Sequence, residues 1–439
     1  MPRRLGIFGR LALVAQWIEQ WFPKPCAEVR FFSGAQHKIN DWNLMTTTKS
    51  RAASLWFAGV FMLFAARGIL MATWSNQGPA IKENLALDVA GMGLYQMVIS
   101  LASFAGVFVA GRLLHKLGSR YISLITYALM AVGLFGLGWS VANHDVTLAI
   151  VFTTLIGTPF GVADYANNFE AGEIDRNSTR NRVPMLHFGY SAAVLVGGLL
   201  SSLFISLNIN VAENFSLVAI IVATAAIIAS FMIPKASGKQ NHEDDEVGAK
   251  VTVLDFLRES RHIKITAIAF AFVISEASGM LWIPITLTGD GMSGTEAGLA
   301  FTLFAFTITV MRLVGGRIAD KLGRQNSVRY LAVTAAIGIA IFMATPILHI
   351  PFVGIAIWGI GNSFGISMTV AAMSDSPKGA HAKQTLLWTV VYFANITVGP
   401  VLGFISSAAG NYASFVFPIA ALVMAFAFSS NVKPKAKTA

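Results

Sequence analysis

The sequence predicts an all-α membrane protein with twelve transmembrane helices in two pseudo-symmetric six-helix bundles. Hydrophobic residues make up 55% of the 439 residues and charged residues only 12%, about half of the roughly 25% that soluble proteins carry. The apolar residues form runs of about 20 residues, the length that crosses a bilayer. A ten-residue turn at 111–120 recurs 205 positions later at 316–325, which is typical of a duplicated bundle.

The apolar runs define spans 1–6, called the N-half here, and spans 7–12, called the C-half. The predicted bounds of the spans are, in order, 52–74, 89–111, 121–141, 147–168, 184–207, 213–234, 262–287, 293–315, 329–347, 350–373, 385–407 and 411–431. The predicted domains are an N-terminal extension at 1–44, the N-terminal bundle at 45–234, a cytoplasmic linker at 235–260, the C-terminal bundle at 261–431 and a cytoplasmic tail at 432–439.

Residues 1–44 differ in character from the rest of the sequence. Their apolar stretch from Leu11 to Ile18 is too short to span a membrane. No small-residue cleavage site follows it, which disfavours a signal peptide, and an amphipathic surface helix is an alternative. The stretch resembles a spurious extension of a reading frame, so we predict that translation starts at Met45.

The distribution of positive charge predicts the orientation in the membrane. When residue 1 and the C-terminus are placed in the cytoplasm, only Lys82 of the 32 Lys and Arg residues lies on the opposite face. Arg67 and Arg312 lie within spans. Because cytoplasmic loops are enriched in Lys and Arg, we expect a multi-pass protein of the cytoplasmic (inner) membrane with both termini in the cytoplasm.

The repeated turn carries a pattern of its own. Its second copy fits G-x-x-x-D-[RK]-x-G-[RK], with Gly316, Asp320, Lys321, Gly323 and Arg324 at the defined positions. Two such turns, after spans 2 and 8 of a twelve-span chain, resemble the major facilitator superfamily over residues 52–431. The resemblance implies a transporter whose two halves alternate access to a central cavity.

In that family, the acid of the turn helps to lock the cytoplasmic side. The first copy has His115 where the second has Asp320, so the N-half lock is absent or depends on pH, and we expect Asp320 to be the centre of the firmer latch. The predicted cytoplasmic gate consists of Gly111, Arg112, Gly118, Arg312, Gly316, Arg317, Asp320, Gly323 and Arg324.

Two further stretches are similar to the fucose permease-like transporters of this family. Residues 161–168 resemble their span 4, where an acid followed by Ala-Asn lies in the transport cavity, and 184–191 resemble their span 5. The acid of the permease's span 1 has no counterpart, because Trp74, Ser75 and Asn76 stand there instead. Fucose as the substrate therefore does not follow.

Four charged residues within the predicted spans are candidates for a function, namely Arg67, Asp164, Glu276 and Arg312. A charge in the bilayer costs at least about 2.5–3.5 kcal/mol, so each must face protein, water or a partner. We predict Asp164 and Glu276 as proton-coupling sites. The alternatives are a helix-capping role for Asp164 and a fixed ion pair of Glu276 with Arg67 or Arg312. Arg67 could also pair with Asp164 or contact an anionic substrate, and Arg312 could be a gate or snorkelling residue at the cytoplasmic end.

The predicted substrate-binding residues combine amides, aromatic rings and single charges at helical spacing, a combination suited to a polar ring-shaped solute. They are Arg67, Trp74, Asn76, Asn167, Asn168, His187, Tyr190, Trp358, Asn362, Trp388, Tyr392 and Asn395. Interhelical packing or an interfacial aromatic belt is the alternative for each of these side chains.

The sequence thus favours a secondary active transporter for a small polar organic solute, a sugar or sugar-like metabolite, driven by protons. The rivals are an exporter of amphipathic compounds and a transporter-like membrane receptor; a channel is disfavoured because no re-entrant filter is evident. The sequence has neither a P-loop nor a zinc-ligand pair, so we expect no enzymatic activity and no cofactor or metal. The expected partners are the substrate, protons and the lipid bilayer, with no nucleic acid, and we expect a monomer.

Overall fold

The structure is a computed structural model that describes residues 38–178, 182–235, 237–239, 259–375 and 380–434, with side chains from residue 52 onward except those of 380–382. The chain forms two compact units, Met1–Arg51 and Ala52–Ala439, and the second unit contains the spans. The predictions for most of 1–44, for most of the linker at 235–260 and for most of the tail lie outside the described residues.

The described part of the chain contains helices and no strand. The spans are, in order, Ala52–Asn76, Val89–Leu117, Ser119–Ala142, Val146–Arg176, Val183–Ser206, Val211–Met232, Ser260–Gly289, spans 8 and 9 together in Gly294–Met343, Pro351–Met373, Lys383–Ala409 and Asn411–Val432. Span 1 continues the helix Lys38–Asn76, and span 11 belongs to the helix Ala380–Ala409. Span 10 consists of Pro351–Asn362 and Gly365–Met373, and span 12 of the helix Val416–Phe428 between the 3-10 turns Asn411–Phe415 and Ser429–Val432. Short helices lie at Gly78–Asn84 and Thr345–Leu348.

Among the described residues, eleven helical segments are long and apolar enough to span a membrane, and one of them has 50 residues. At about 1.5 Å per residue it measures about 75 Å, more than twice the thickness of the hydrocarbon layer. The helix is interrupted at Gly323, whose φ of 73° and ψ of 158° are not helical. The eleven helices therefore provide the twelve predicted spans.

The two repeated turns have the same backbone conformation. Gly118, which separates spans 2 and 3, has φ 80° and ψ 158°, nearly the angles of Gly323. Positive φ is accessible to glycine without strain because glycine lacks Cβ. The repeat detected in the sequence is thus a repeat of local structure.

The two halves meet closely at what we call the far end, where span 1 ends and span 2 begins. A Cβ atom added at Gly93 of span 2 would lie 2.3 Å from the carbonyl oxygen of Gly399 in span 11. On the other side, Ser202 Oγ of span 5 would lie 2.5 Å from a Cβ added at Gly298 of span 8. Small residues permit this close approach of backbones. We call this contact between the halves the seam.

At the opposite end, which carries the repeated turns and is called the basic end here, the glycines have different surroundings. A Cβ at Gly111 would contact only Tyr165 of its own half, and one at Gly316 or Gly323 would have no neighbour within 4 Å among the described residues. The halves therefore meet closely at the far end, whereas added Cβ atoms at Gly111, Gly316 and Gly323 meet nothing of the other half among the described residues.

Candidate functional site

The carboxylate of Asp164 connects three spans. One of its oxygens lies 2.7 Å from a terminal nitrogen of Arg67 in span 1, and the other accepts a hydrogen bond from the Tyr392 hydroxyl of span 11 at 2.9 Å. The amide of Asn168, one turn further along span 4, donates to it at 3.1 Å. Because span 11 belongs to the C-half, the carboxylate ties the two halves together.

Arg67 is only 5% exposed. Its guanidinium lies 4.3 Å from the ring centre of Phe160 and 5.8 Å from that of Tyr190, and its Nε has no hydrogen-bond partner among the described residues. The positive charge is thus held by one carboxylate and by aromatic faces, an arrangement that is stabilising in a desolvated site. Among the partners that the sequence allowed for Arg67, the structure shows Asp164.

The second ion pair lies within the C-half. A terminal nitrogen of Arg312 in span 8 donates to both carboxylate oxygens of Glu276 in span 7 at 2.8 Å, and Arg312 Nε donates to the Ser363 carbonyl at 2.7 Å. Span 10 is interrupted after Asn362, which leaves this carbonyl outside a regular helix. The Asn362 amide lies 3.4 Å from Glu276.

Side chains of span 5 lie near both ion pairs. His187 is exposed, packs edge-on against Phe64 at 5.2 Å, and is within electrostatic range of Asp164 and Arg312. Tyr190 is within range of all four charged groups. Contacts thus join Arg67, Asp164, Tyr190 and Tyr392 from both halves. Two further predicted site residues, His187 and Glu276, lie within electrostatic range of this group.

Other predicted substrate residues have structural partners instead. Asn167 is 1% exposed and donates to the Tyr127 hydroxyl at 2.8 Å, which in turn donates to the Leu63 carbonyl at 2.7 Å. Trp358 is fully buried, donates to Ser275 at 2.8 Å, and packs on aromatic rings of its own half. These two side chains lie in the interior of their own halves.

The remaining predicted residues are spread along the seam and span 11. Trp74 stacks on Tyr95 with ring centres 6.0 Å apart, and Asn76 donates to the Gly198 carbonyl at 3.0 Å. Asn395 donates to a carbonyl of its own helix, and Trp388 is 46% exposed. The sequence pattern thus grouped residues from three different environments.

The predicted gate contains the two turns, but the acid that holds the C-half turn is a different one. Asp320 is exposed, and within the described ranges it has no ion pair. Arg324 lies 2.5 Å from Asp375, which follows span 10, and Arg261 lies 3.0 Å from the other oxygen of Asp375. In this conformation Asp375, a residue that sequence reasoning missed, is the carboxylate that pairs with the C-half turn, and we call Arg261, Arg324 and Asp375 the C-half latch. The gating role of Asp320 stays a prediction.

The signal that would have found Asp375 is the repeat distance. Glu170 precedes Asp375 by the same 205 positions, and Trp56 and Ser119 precede Arg261 and Arg324 by that distance. In the N-half, Trp56 Nε1 donates to Glu170 at 2.6 Å and Ser237 donates to it at 2.5 Å, while the Ser119 amide donates to the Ser237 carbonyl. Each half therefore has the same acid position, with neutral donors in one half and arginines in the other.

Partial burial by itself would raise the pKa of Asp375. The hydrogen bonds and charges of Arg324 and Arg261 outweigh this effect and leave the pKa of Asp375 below its ordinary value. The C-half latch is therefore charged at neutral pH.

Among the described residues, no cluster of His, Cys, Asp and Glu could hold a metal ion. The chemistry of the site consists of ion pairing and hydrogen bonding between helices. A site of this kind, between two halves of a twelve-span bundle, is what a membrane transporter requires.

The family model of the Major Facilitator Superfamily matches residues 56–400, and again 265–438. The chain belongs to this superfamily, whose members are transporters and not enzymes, so it is a multi-pass membrane transporter. The predicted family and fold class are confirmed.

Relatives and solved structures agree with this assignment. The chain is 26% identical over 351 residues to an uncharacterized MFS-type transporter of Yersinia pestis, covering 79% of this chain and 87% of the relative. It is 21% identical over 368 residues to the membrane protein MosC of Rhizobium meliloti, covering 83% and 87% of the two chains. A mutant of the nucleoside transporter NupG has a TM-score of 0.71 at 14% identity, and a D-xylose-proton symporter has 0.64 at 14%; each covers 87% of this chain and 99% of its own.

Proposed function

We propose that this protein is a secondary active transporter that moves a small polar organic solute, a sugar or sugar-like metabolite, together with protons. It works as a monomer in the inner membrane, with both termini in the cytoplasm, so that the basic end faces the cytoplasm. The nucleoside and xylose transporters that share the fold support a solute of this size and polarity. The position of Lys and Arg at the basic end supports the orientation.

The observation that carries proton coupling is the contact of Asp164 with Arg67 of its own half and with Tyr392 of the other half. The ionised carboxylate accepts from both donors. A proton on Asp164 removes the charge that attracts Arg67 and weakens the hydrogen bond from Tyr392, since bonds to a charged acceptor are the stronger ones. Protonation would therefore loosen a bond between the halves and free the Arg67 guanidinium for the solute.

Glu276 is the second proton site in this proposal. Its bidentate pair with Arg312 lies within the C-half, so its protonation would release Arg312 without breaking a bond between the halves. The two acids thus have different roles. Protonation of Asp164 weakens the contact between the halves, and protonation of Glu276 releases Arg312 within the C-half.

Proton-driven uptake in proteoliposomes tests the proposal. With Asp164→Asn, we expect accumulation of a transported solute against its gradient to be abolished while solute exchange persists, because the site can no longer gain or lose a proton. Glu276→Gln should reduce accumulation as well. Asp290→Asn is the matched control, since Asp290 also accepts from a tyrosine hydroxyl, at 3.0 Å, but within one half. Unchanged accumulation by Asp164→Asn would show that this carboxylate is not the coupling site.

A further inference from the structure

The guanidinium of Arg67 obtains its counter-charge from one carboxylate. Among the described residues its ion-pair partner is Asp164, at 2.7 Å. The other groups that act on it most strongly are the hydroxyls of Tyr127, Tyr190 and Tyr392. Arg67 is 5% exposed, so little water reaches it, and an arginine does not release its proton in a protein. The buried positive charge therefore persists whether or not Asp164 is ionised.

The scaffold does not require this ion pair. At the repeat distance of 205 positions, the equivalents of Arg67 and Asp164 are Phe272 and Thr369. Both are fully buried in the C-half, and the Thr369 hydroxyl donates to a carbonyl of its own helix. The same helix positions thus pack without charges in the C-half, which indicates that the pair in the N-half has a purpose beyond packing.

The ion pair lies beside a space between the halves that water reaches. The side chain of Asp164 is 31% exposed although it accepts a hydrogen bond from Tyr392 of the C-half. His187 is exposed although it is within electrostatic range of Arg67 and Asp164 and also of Arg312 in the C-half. Accessible side chains close to charges of both halves line a water-filled cavity and not the lipid-facing surface. Because Arg67 itself is buried, a solute in this cavity meets Asp164 first.

Protonation of Asp164 creates a demand for an anion. It leaves the buried guanidinium of Arg67 without a counter-charge, and an uncompensated buried charge is strongly unfavourable. A neutral solute supplies hydrogen bonds but no charge. A carboxylate supplies both, because it has the same charge and the same two acceptor oxygens as the aspartate. A phosphate dianion would exceed the single negative charge that it replaces.

The second ion pair makes no such demand. Arg312 Nε also donates to the Ser363 carbonyl at 2.7 Å, and the side chain of Arg312 is 33% exposed. Water can therefore solvate this guanidinium when Glu276 takes a proton. The place that requires an anion is Arg67.

We propose that Arg67 binds the carboxylate of an anionic solute, a sugar acid such as a uronate or an aldonate, which replaces Asp164 as its partner when Asp164 is protonated. The proposal rests on the proposed function, because a proton on Asp164 is what releases the guanidinium. It narrows the substrate class to monocarboxylates. Proton and anion enter together, so the loaded site has the same net charge as the empty one.

Isothermal titration of the detergent-purified full chain tests this substrate class. The probes are D-glucuronate and D-gluconate, with D-glucose and D-sorbitol as their uncharged counterparts. We expect at least one carboxylate to bind at least about tenfold more tightly than its counterpart, since bonds between charged partners are the stronger ones. Its affinity should rise as the pH is lowered from 8 to 6, with about one proton taken up per carboxylate, because the two binding events are linked. The probes stay ionised over this range, since an ordinary carboxyl pKa is about 4.

Asp164→Asn imitates the protonated acid. At pH 8 this variant should bind the carboxylate probe at least about tenfold more tightly than the wild type does, and its affinity should no longer depend on pH. Adding Arg67→Gln to this variant should abolish the gain. Asp290→Asn is the matched control, since Asp290 accepts from the Tyr412 hydroxyl at 3.0 Å within the C-half, and it should leave the affinity unchanged. If the site variants do not fold, the pH dependence and proton uptake of the wild type decide the question.

The outcomes separate this inference from the proposed function. Equal binding of a carboxylate and its uncharged counterpart, binding without proton uptake, no gain in Asp164→Asn, or no binding of either carboxylate probe would overturn the anion site. Each of these results is compatible with proton-driven uptake of a neutral sugar that depends on Asp164. Carboxylate binding that requires Arg67, together with accumulation that Asp164→Asn leaves unchanged, would overturn the coupling and keep the anion site.

Discussion

Arg67 and Tyr392 approach different oxygens of one carboxylate, that of Asp164. The side chain of Asp164 is 31% exposed, whereas that of Arg67 is 6% exposed, so water reaches the acid more readily than the base. At the scale of single residues, a charge and a contact between the halves coincide at this carboxylate, which is the proton site of the proposed function.

Tyr392→Phe removes the hydrogen bond between the halves and keeps the ion pair. A hydrogen bond to a charged group contributes about 1.5–3 kcal/mol, so the conformation seen here should lose one to two powers of ten in population relative to its alternative. The measurement is the rate at which a reporter cysteine, Ser202→Cys, reacts with a maleimide in a Cys26→Ser background. Ser202 is 2% exposed at the seam, so its labelling reports opening of the far end.

Tyr412→Phe is the matched control for this variant. Tyr412 donates to Asp290 at 3.0 Å within the C-half, so its loss should leave the labelling rate unchanged. Equal acceleration by the two variants would mean that the Tyr392 contact has no special role between the halves.

Residue-scale patterns selected candidate side chains for the site but did not give the direction in which each one points. Asn167 and Asn168 both follow Asp164 at helical spacing, yet only Asn168 contacts it, while Asn167 donates to Tyr127. Consecutive residues are about 100° apart around a helix. Asn167 and Asn168 therefore point in directions about 100° apart. Which of them faces Asp164 and which faces Tyr127 depends on how the neighbouring helices pack around span 4.

At the scale of elements, the ends of spans 4 and 10 carry equivalent acids in different surroundings. Glu170 is held by Trp56 and Ser237, and Asp375 by Arg261 and Arg324. The duplicated elements thus keep the position of an acid and change its partners. A guanidinium stabilises the ionised carboxylate more strongly than neutral donors do.

Asp375→Asn should destabilise the protein at neutral pH, because it leaves two arginines without their carboxylate. The pKa of Asp375 is lower in the folded state than its ordinary value, so the stabilisation is fully present above the ordinary carboxyl pKa of about 3.9. It is lost as the pH falls from there through the folded value. Thermal unfolding between pH 7 and pH 3 should therefore show a difference between wild type and variant that shrinks in acid.

Glu170→Gln is the control at the equivalent position. The amide oxygen of Gln still accepts a hydrogen bond and no arginine loses its partner there, so the loss at pH 7 should be smaller than for Asp375→Asn. A larger loss would contradict the assignment of Asp375 as the centre of the C-half latch.

At the scale of the whole molecule, the two halves close the far end with small residues related by the repeat. Gly93 and Gly298 are equivalent positions, as are Gly198 and Gly403. Added Cβ atoms at these glycines would meet the other half at 2.3–3.2 Å, as in the approach of Gly403 to Val89 and Gly93. The closed seam thus consists of two equivalent contacts, one between spans 2 and 11 and the other between spans 5 and 8.

Gly93→Ala should prevent this closure, because the new Cβ would lie 2.3 Å from the carbonyl oxygen of Gly399. We expect faster labelling of the Ser202→Cys reporter and slower solute transport. Gly172→Ala is the control, since Gly172 lies in the helix of span 4 and outside the predicted gate, and nothing in the described part of the chain lies within 4 Å of the added Cβ. Alanine favours a helix by about 0.5–1 kcal/mol over glycine. Normal transport and unchanged labelling in Gly93→Ala would contradict the prediction that transport requires closure of the seam.

The sequence by itself determined the number of spans, their order, the duplication and the family. These follow from the length of apolar runs, from the motif around Gly316 and Gly323 and from the repeat distance, which are local properties of the chain.

Only the tertiary structure decided which side chains form ion pairs and hydrogen bonds with one another. It pairs Arg67 with Asp164 and Arg312 with Glu276, gives the C-half latch to Asp375, and places Trp358 in the interior of the C-half. Helical periodicity gives the relative directions of side chains on one helix. It does not give the rotation of that helix against its neighbours, which the packing of small residues at the seam and within each half sets.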